Sequence, residues 1–282
     1  MQDPRIDELE EIAARAVDAV AREEFLDAAV PTFLLRHYLG TDGAGLRDAL
    51  GLALAQALTL AGNDATIIGR AGWLTLLVEA TAVAEDERIL PAAVELVAGL
   101  QAAWPAQTRI DEVSASVEAC LRAAEIVHPD ELVQNAIDHL ERVIGGSYRP
   151  GDGLIRDRDG IRVRCGVDDH VRGASALLTA FEVTGRLPYS MLAEELIAIA
   201  GREPPSDAGL VIQCDAARVL CRLAALHDDP GYRGAAVIAT GADYRAEASR
   251  ILAAQSARAR AGSPSASAAY GLALRELLRH VR

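Results

Sequence analysis

The stretch "GASALLTAFEVTGRLPYSMLAEELIAIA" (residues 173–200) contains two apolar-periodic segments separated by a polar break at Thr184 to Tyr189. In each segment apolar residues return every three or four positions, which is the spacing of an amphipathic helix. The break contains residues typical of helix ends, because Gly185 suits a C-terminal cap and Pro188 suits a first turn. The stretch therefore predicts a helical hairpin.

Three further copies share this plan of helix, polar break and helix. They are residues 73–100 with a break at 85–88, residues 116–144 with a break at 128–131, and residues 216–239 with a break at 227–232. Helical periodicity also extends over residues 5–39, 46–62, 244–255 and 265–281. Breaks that recur at roughly 40 to 60 residues indicate an array of helical hairpins. We expect eleven or twelve helices, which make about six hairpins.

The composition favours an all-α protein that closes into an (α/α) toroid. Hydrophobic residues make up 51% of the chain and aromatic residues only 4%, so the core is mostly Ala, Leu and Val, with Ala and Leu the strong helix formers. The segments "SALLTA", "AARVLCRLAAL" and "AAYGLAL" are apolar nearly all round, as helices buried on both sides should be. An open solenoid would leave one face of each helix wetter. No long Pro/Gly/Ser linker interrupts the chain, so residues 1–282 are predicted to form a single domain.

Charge and residue usage exclude several functions. The net charge of −13 argues against a nucleic-acid partner and against an anionic membrane surface. Every positive side chain apart from histidine is Arg, which excludes a Schiff-base lysine, and we expect no cofactor. The four cysteines and the histidines show no metal-ligand spacing, so no metal is expected. With no basic leader and no apolar run of about 20 residues, the predicted location is the cytoplasm.

A charged segment interrupts the helical pattern near residues 153–165. Leu154 to Arg156 and Ile161 to Arg164 alternate apolar and charged residues around the turn dipeptide Asp159-Gly160. This alternation predicts one short β-hairpin, and strands are expected nowhere else. In a toroid, such an insertion is expected to lie over one end of the barrel and to rim the central cavity.

Residues 148–240 also carry a family resemblance. The run "GDG", then "IRVR", then Gly173 and Ser175, then "LLTAFEVTGRLPYSMLAEEL" resembles the C-terminal (α/α) toroid of the thioredoxin-domain-containing (spermatogenesis-associated, DUF255-type) family. More distantly the chain is similar to the N-acylglucosamine 2-epimerase group of (α/α)₆ barrels. The thioredoxin domain is absent here, and Val171-Arg172 stands where that family has Pro-Ser. The resemblance implies the toroid fold more than a reaction.

The arginines of the insertion are candidate ligand-binding residues. Arg162 and Arg164 point to one face of the predicted strand, and together with Arg172 they can converge on a carboxylate or phosphate. Tyr148 is a candidate for lining the same pocket. The alternative is that neighbouring aspartates neutralise these arginines on a solvated surface.

Asp168, Asp169 and His170 are the candidate catalytic residues. A helix N-cap accounts for one of two adjacent carboxylates but not for both. Paired carboxylates beside a histidine can have divergent pKa values and so supply both an acid and a base.

These observations predict a soluble toroid protein that binds a polar or anionic small molecule, sugar-like in character, at the barrel mouth. An isomerase or a hydrolase is the expected class of enzyme, and two alternatives stay open. One is a non-catalytic helical scaffold that binds a protein through its acidic outer face. The other is a terpene-cyclase-like enzyme with a degenerate acid motif, since "GVDDH" has Gly166 in place of the first aspartate of that motif. A polar central pocket favours a ligand site, whereas a filled apolar centre favours the scaffold.

Overall fold

The computed structural model describes residues 3–41, 43–127, 129–158, 161–202, 209–236, 238 and 241–279. The helices within these residues are α1 (Pro4–Ala21), α2 (Ala29–Thr41), α3 (Arg47–Asn63), α4 (Ile67–Ala80), α5 (Ile89–Ala103), α6 (Ile110–Ala123), α7 (Pro129–Ser147), α8 (Val167–Thr184), α9 (Leu187–Ala200), α10 (Leu210–Asp228), α11 (Pro230–Ala236), α12 (Tyr244–Ala261) and α13 (Pro264–Arg279). The strands are β1 (Tyr148–Arg149), β2 (Gly153–Arg158) and β3 (Ile161–Arg164).

Six helices form a closed inner ring. Going round it, α2 packs against α4, α4 against α6, α6 against α8, α8 against α10 and α10 against α13, and α13 packs back against α2. Helices α1, α3, α5, α7, α9 and α12 form an outer layer against these six. The chain alternates between outer and inner helices, so the inner helices all run in one direction. The predicted all-α toroid of about six hairpins is confirmed.

The inner and outer helices differ in how they bury apolar residues. Trp73, Leu74 and Leu76 of the inner helix α4 are all fully buried, although they point in different directions around the helix. The outer helix α5 buries Leu96 on one side and leaves Val94 on the opposite side 43% exposed. Full burial of each large side chain contributes about 1.5–3 kcal/mol, so the ring is held chiefly by these apolar contacts.

The hairpin that predicted the fold has the expected helix ends. Gly185 adopts a left-handed conformation, with φ of 69°, and donates its N–H to the carbonyl oxygen of Phe181 at 2.7 Å. Glycine takes this conformation without steric cost, which ends α8 sharply. Pro188 lies in the first turn of α9.

The repeat at residues 216–239 differs from its prediction. Helix α10 is followed by the seven-residue α11, and the outer helix that packs on α10 is α12. Gly231 and Gly234 lie within α11, and glycine is a poor helix former, which limits its length. The described residues thus contain thirteen helices, one more than expected.

The predicted β-hairpin is present. β2 and β3 pair antiparallel, with Ile155 opposite Arg164 and Asp157 opposite Arg162. The turn dipeptide at residues 159–160 lies outside the described residues. The two-residue strand β1 adds a third strand by pairing with β2, so the expectation of strands only within residues 153–165 was too narrow.

One segment, Ile89–Ala106, is long and apolar enough by length and composition to cross a membrane. This differs from the expectation that no stretch would qualify. In the structure the segment is α5 and the short 3-10 turn after it, and α5 packs on α3, α4 and α6 as part of the outer layer.

The ring has two ends that differ in structure. We call the end at which the inner helices begin the N-terminal end of the ring, and the opposite end the C-terminal end. The three strands connect α7 to the beginning of α8, and β2 packs against α7, α8 and α9. The sheet therefore covers part of the N-terminal end.

Candidate functional site in the centre of the ring

A cavity of about 850 Å³ occupies the centre of the ring. Its lining includes charged side chains from all six inner helices, among them Arg36, Arg122, Arg218, Arg222, Arg275 and Arg279. Most of these residues lie in the second halves of their helices. The cavity therefore opens at the C-terminal end of the ring, away from the sheet. The insertion does not rim it, contrary to the expectation from the sequence.

An ion-pair network connects the wall of the cavity. Arg36 donates from Nε and Nη2 to the two carboxylate oxygens of Glu79, at 2.8 and 2.5 Å. Arg122 lies 2.9 Å from Glu118, and Arg222 lies 2.9 Å from Glu182. Charge-assisted bonds of this kind are strong and directional, so they hold the guanidinium groups in fixed positions.

Arg222 is the most connected of these arginines. It donates to Oγ1 of Thr179 at 2.8 Å and to Oγ of Ser175 at 3.1 Å, and its Nη1 lies 3.6 Å from Glu118. Its guanidinium thus joins α10 to α8 and α6. Only 14% of its side chain is exposed, so its position is set by the fold.

Two carboxyl groups in this network have opposed pKa shifts. Burial alone would raise the pKa of Glu118, but Arg122 and Arg222 outweigh that effect and lower it to about 2. Burial raises the pKa of Asp215, and Arg218 and Arg172 only partly oppose this rise. The side chains of Glu118 and Asp215 are 20% and 28% exposed, so both remain accessible to solvent. One group is thus held ionised while the other binds a proton more readily.

Arg218 has hydrogen-bonding capacity that the fold does not use. Its Nη1 lies 3.5 Å from Oδ1 of Asp215, and its buried Nε has no hydrogen-bond partner. A buried donor without an acceptor costs free energy, so this cost is recovered only when something else accepts the bond. Arg218 can therefore donate a further hydrogen bond to a ligand or a water molecule in the cavity.

The sequence-predicted catalytic residues lie at the other end of the ring. Asp169 accepts the backbone N–H of Gly166 at 3.1 Å and that of Asp111 at 3.2 Å, which joins the beginning of α8 to the beginning of α6. Asp168 is exposed in the first turn of α8, where a negative charge favours the helix dipole. Neither carboxylate lines the central cavity.

His170 is buried and holds the β-insertion onto α8. The N–H of Leu154 donates to its Nε2 at 3.1 Å, so the ring proton is on Nδ1, which donates to the carbonyl oxygen of Gly166 at 2.8 Å. Both ring nitrogens are thus occupied within the fold. The geometry therefore supports a structural part for His170 and gives no support to a catalytic one.

The predicted ligand-binding residues do not converge. Arg162 and Arg164 are exposed on β3, and Arg164 donates from Nε to the carbonyl oxygen of Asp152 at 3.0 Å. The hydroxyl of Tyr148 donates to Glu195 at 2.6 Å, which fastens β1 to α9. Arg172 differs from the other three. Its charge lowers the pKa of the Asp215 carboxyl, so these two side chains are near each other, although neither lines the central cavity.

Sequence reasoning missed the central residues because it searched the visible charge cluster. A usable signal was present in "VEACLRAA" (residues 117–124), where Glu118 and Arg122 interrupt an otherwise apolar inner helix. Arg and Glu are almost never buried unless they are paired. Charged pairs within predicted inner helices were therefore the better guide to the site.

The cavity distinguishes among the functions left open by the sequence. Its centre is charged, which favours a ligand site over a scaffold with a filled apolar centre. The described lining residues include no Phe, Tyr or Trp to stabilise a carbocation, which weakens the terpene-cyclase alternative. Among the described residues no group of three or more His, Cys, Asp or Glu side chains is placed to hold a metal ion.

A second cavity, of about 840 Å³, is lined by residues of α10 and α12, including His227 and Tyr244. The buried carboxylate of Glu194 lies close to it. Glu194 accepts the hydroxyl of Tyr244 and lies 3.2 Å from Nε2 of His227. Nε2 of His227 and one carboxylate oxygen of Glu194 still make no hydrogen bond of good geometry. The central cavity is the stronger candidate because charged side chains from all six inner helices line it.

The ring is similar to those of carbohydrate-active enzymes. An α-1,6-mannanase from Salegentibacter sp. HEL1_6 superposes with a TM-score of 0.67 at 12% identity, over 97% of this chain and 100% of that chain. The unsaturated glucuronyl hydrolase from Bacillus sp. GL1 superposes with a TM-score of 0.69 at 13% identity, over 97% of both chains. The superpositions establish a shared (α/α)₆ toroid fold, and at identities this low the similarity shows the fold alone. No protein-family model and no curated protein matches the sequence.

Proposed function

We propose that the protein binds a polar, sugar-like molecule in the central cavity and acts on it as a hydrolase. The observation that carries this proposal is a pair of carboxyl groups, Glu118 and Asp215, whose pKa values are shifted in opposite directions. They lie behind the cavity wall, and the arginines that they contact, Arg122, Arg222 and Arg218, line the cavity. Pairs of carboxyl groups with divergent pKa values are the usual acid and base of glycoside hydrolysis.

Each carboxyl group has a separate part in this proposal. Asp215, with its raised pKa, keeps a proton to higher pH and donates it to the oxygen of the leaving group. Glu118 stays ionised between Arg122 and Arg222. It takes a proton from the attacking water, whose oxygen forms the new bond to the sugar carbon as the bond to the leaving group breaks. The arginines of the wall, Arg218 above all, donate hydrogen bonds that orient the ligand.

The structural neighbours support this choice of reaction. They include an α-1,6-mannanase in complex with α-1,6-mannotetrose and an unsaturated glucuronyl hydrolase in complex with a tetrasaccharide, dGlcA-Glc-Rha-Glc. Both enzymes use the toroid fold for a sugar ligand. Membership of the thioredoxin-domain-containing family, which the resemblance of residues 148–240 suggests, stays a prediction, as does a cytoplasmic location.

Hydrolysis assays on α-1,6-mannooligosaccharides and on unsaturated glucuronyl oligosaccharides test the proposal. We expect Asp215→Asn to lower kcat by about 10²–10⁴-fold, because it removes the proton donor at nearly constant volume. Asp168→Asn makes the same chemical change at the other end of the ring and should leave kcat unchanged. Activity of the wild type should fall as pH rises through the raised pKa of Asp215. An active wild type that keeps full activity as Asp215→Asn contradicts the proposal.

A further inference from the structure

His37 lies in the wall of the central cavity and has no part in the proposed reaction. It is on α2, its side chain is only 2% exposed, and its ring stacks on Phe33 with centroids 5.5 Å apart. Its Nδ1 is 2.9 Å from Nη1 of Arg275. Because a guanidinium group can only donate, Nδ1 must accept this bond. The proton of the neutral ring is therefore on Nε2.

The Nε2–H group makes no hydrogen bond of good geometry, and the nearest acceptor is Oε1 of Glu10 at 3.4 Å. Burial lowers the pKa of His37, the charge of Arg275 lowers it further, and Glu10 opposes both effects only in part, so the ring stays neutral and keeps a single donor at this position. The side chain of Glu10 is 60% exposed, so it can move away at little cost. The donor of His37 therefore becomes available to a ligand that displaces Glu10.

Arg275 adds positive charge beside this donor. Its guanidinium is partly buried, and burial together with the charges of Arg279 and Arg36 lowers its pKa. Arg36 is already paired with Glu79, whereas the hydrogen bond described for Arg275 goes to a neutral imidazole. Asp3, Glu10 and Glu276 also line the cavity, but none of them makes a described ion pair with Arg275, so its guanidinium can pair with an anionic ligand.

Gly40 makes the position of Arg275 possible. A Cβ atom at residue 40 would overlap Nη2 of Arg275, so the guanidinium lies in space that only glycine leaves free. Gly40, His37 and Arg275 all line the same cavity. The hydrogen bond to His37 thus holds the guanidinium in space that Gly40 leaves free, and a side chain at residue 40 would displace it.

We propose that Nε2–H of His37 and the guanidinium of Arg275 form a subsite for an oxyanion, the carboxylate or sulfate ester of an acidic sugar. The oxyanion accepts a hydrogen bond from Nε2–H of His37 and forms an ion pair with Arg275. That the oxyanion belongs to a sugar rests on the proposed function, whereas binding of an oxyanion as such does not. Glu10, the exposed carboxylate nearest to His37, competes with the ligand for this position.

Calorimetric titration of the full chain tests the subsite directly. The probes are glucuronate, glucose as its neutral counterpart, and glucose 6-sulfate, which distinguishes a carboxylate from a sulfate ester. We expect at least one of the two acidic sugars to bind about ten-fold or more tightly than glucose. Equal affinity for all three sugars, or no binding of any, would overturn the subsite.

Three variants and one control variant locate the binding. Arg275→Gln should abolish the preference for the acidic sugar without lowering Tm, because it removes a buried charge that neighbouring arginines oppose. Gly40→Ala should reduce the preference by displacing the guanidinium while keeping its charge, and Gly51→Ala, which adds a methyl group in open space on a helix, is the matched control. Glu10→Gln should increase the affinity. Wild-type affinity in both Arg275→Gln and Gly40→Ala would overturn the assignment.

The outcomes separate this inference from the proposed function. Selective binding of acidic sugars that depends on Arg275, in a protein that hydrolyses none of the oligosaccharides, retains the subsite and contradicts the hydrolase. Hydrolysis that depends on Asp215 and is insensitive to Arg275→Gln and Gly40→Ala retains the hydrolase and contradicts the subsite.

Discussion

The two ends of the ring use charged residues in different ways. At the N-terminal end, Asp169 and His170 form hydrogen bonds with backbone groups of neighbouring elements. At the C-terminal end, six arginines line the central cavity, and Nε of Arg218 and Nε2 of His37 make no hydrogen bond of good geometry within the protein. The N-terminal end has the more conspicuous cluster of charges in the sequence, yet its charges hold the fold together. Buried side-chain atoms without a hydrogen-bond partner also occur outside the cavity, among them Nε2 of Gln107 and Oγ of Ser114. The charged cavity wall, rather than the density of charge along the sequence, therefore distinguishes the ligand site.

The two ends should also differ in how much their charged residues contribute to the stability of the folded state. Unpartnered buried donors and adjacent arginines destabilise the folded state, and natural proteins retain such groups where a function requires them. Substitutions at the N-terminal end should therefore cost stability and leave ligand binding intact. Substitution of Arg218 or Arg275 in the cavity wall should weaken ligand binding and leave stability intact, whereas substitution of the paired carboxylate of Glu118 should affect both.

The largest loss of stability is expected for His170→Ala. The change leaves the buried N–H of Leu154 without an acceptor and creates a cavity between β2 and α8. Together these effects should lower the free energy of unfolding by about 2–5 kcal/mol, measured by urea denaturation. Sugar binding by the fraction that remains folded should match the wild type. A stable His170→Ala variant that has lost binding would reverse the comparison between the two ends.

Glu118→Gln should lower the free energy of unfolding by an intermediate amount that depends on pH. The pKa of Glu118 is lowered to about 2 in the folded state, so its contribution to stability is complete above the ordinary carboxyl pKa of about 4.5 and is lost as pH falls toward 2. At pH 7 we expect a loss of about 1–3 kcal/mol, because two charge-assisted contacts are weakened. Between pH 4.5 and 2 the two proteins should converge in stability. A constant difference across that range would show that Glu118 is not held ionised.

Tyr148→Phe should lower the free energy of unfolding by less than Glu118→Gln does. The hydroxyl makes one hydrogen bond to Glu195 on a partly exposed side chain, so its removal should lower the free energy of unfolding by about 0.5–1.5 kcal/mol. Thermal denaturation followed by circular dichroism is sufficient to detect this change. The affinity for sugars should not change, because Tyr148 does not line the central cavity.

Arg164→Ala is expected to have the smallest effect. The sequence suggested Arg164 as an anion ligand, but it is exposed and bonds only a backbone carbonyl among the contacts described for it. Stability should change by less than about 0.5 kcal/mol, and acidic sugars should bind as they do to the wild type. Weaker binding of acidic sugars by this variant would restore the N-terminal end as a candidate site.

The sequence predicts the fold well because helical periodicity and helix-end residues are local signals. Gly185 and Pro188 mark a break that the structure reproduces, and the segments that are apolar all round are inner helices. The short α11 was missed because the period alone does not say whether a helix after a break is long enough to cover the inner helix. Its glycines carried that information.

The site was less predictable because its residues are brought together by ring closure. Glu118 is on α6 and Asp215 is on α10, so neither suggests the other in the sequence. The insertion attracted attention because its charges are contiguous, and of that set only Arg172 has a charge that acts on Asp215. Which end of a toroid is open depends on three-dimensional packing that no local pattern encodes.

Closure of the ring also determines when, during synthesis on the ribosome, the nascent chain can fold into its functional form. The bond between His37 and Arg275 spans 238 positions, and α2 is covered on one side only when α13 has been made. Until then the nascent chain exposes an apolar helix face that is suited to chaperone capture or to aggregation. Contacts of such high sequence separation also form slowly, since chain entropy is lost before they stabilise the fold. Synthesis of the last helix should therefore be the step at which the chain becomes protease-resistant and able to bind its ligand.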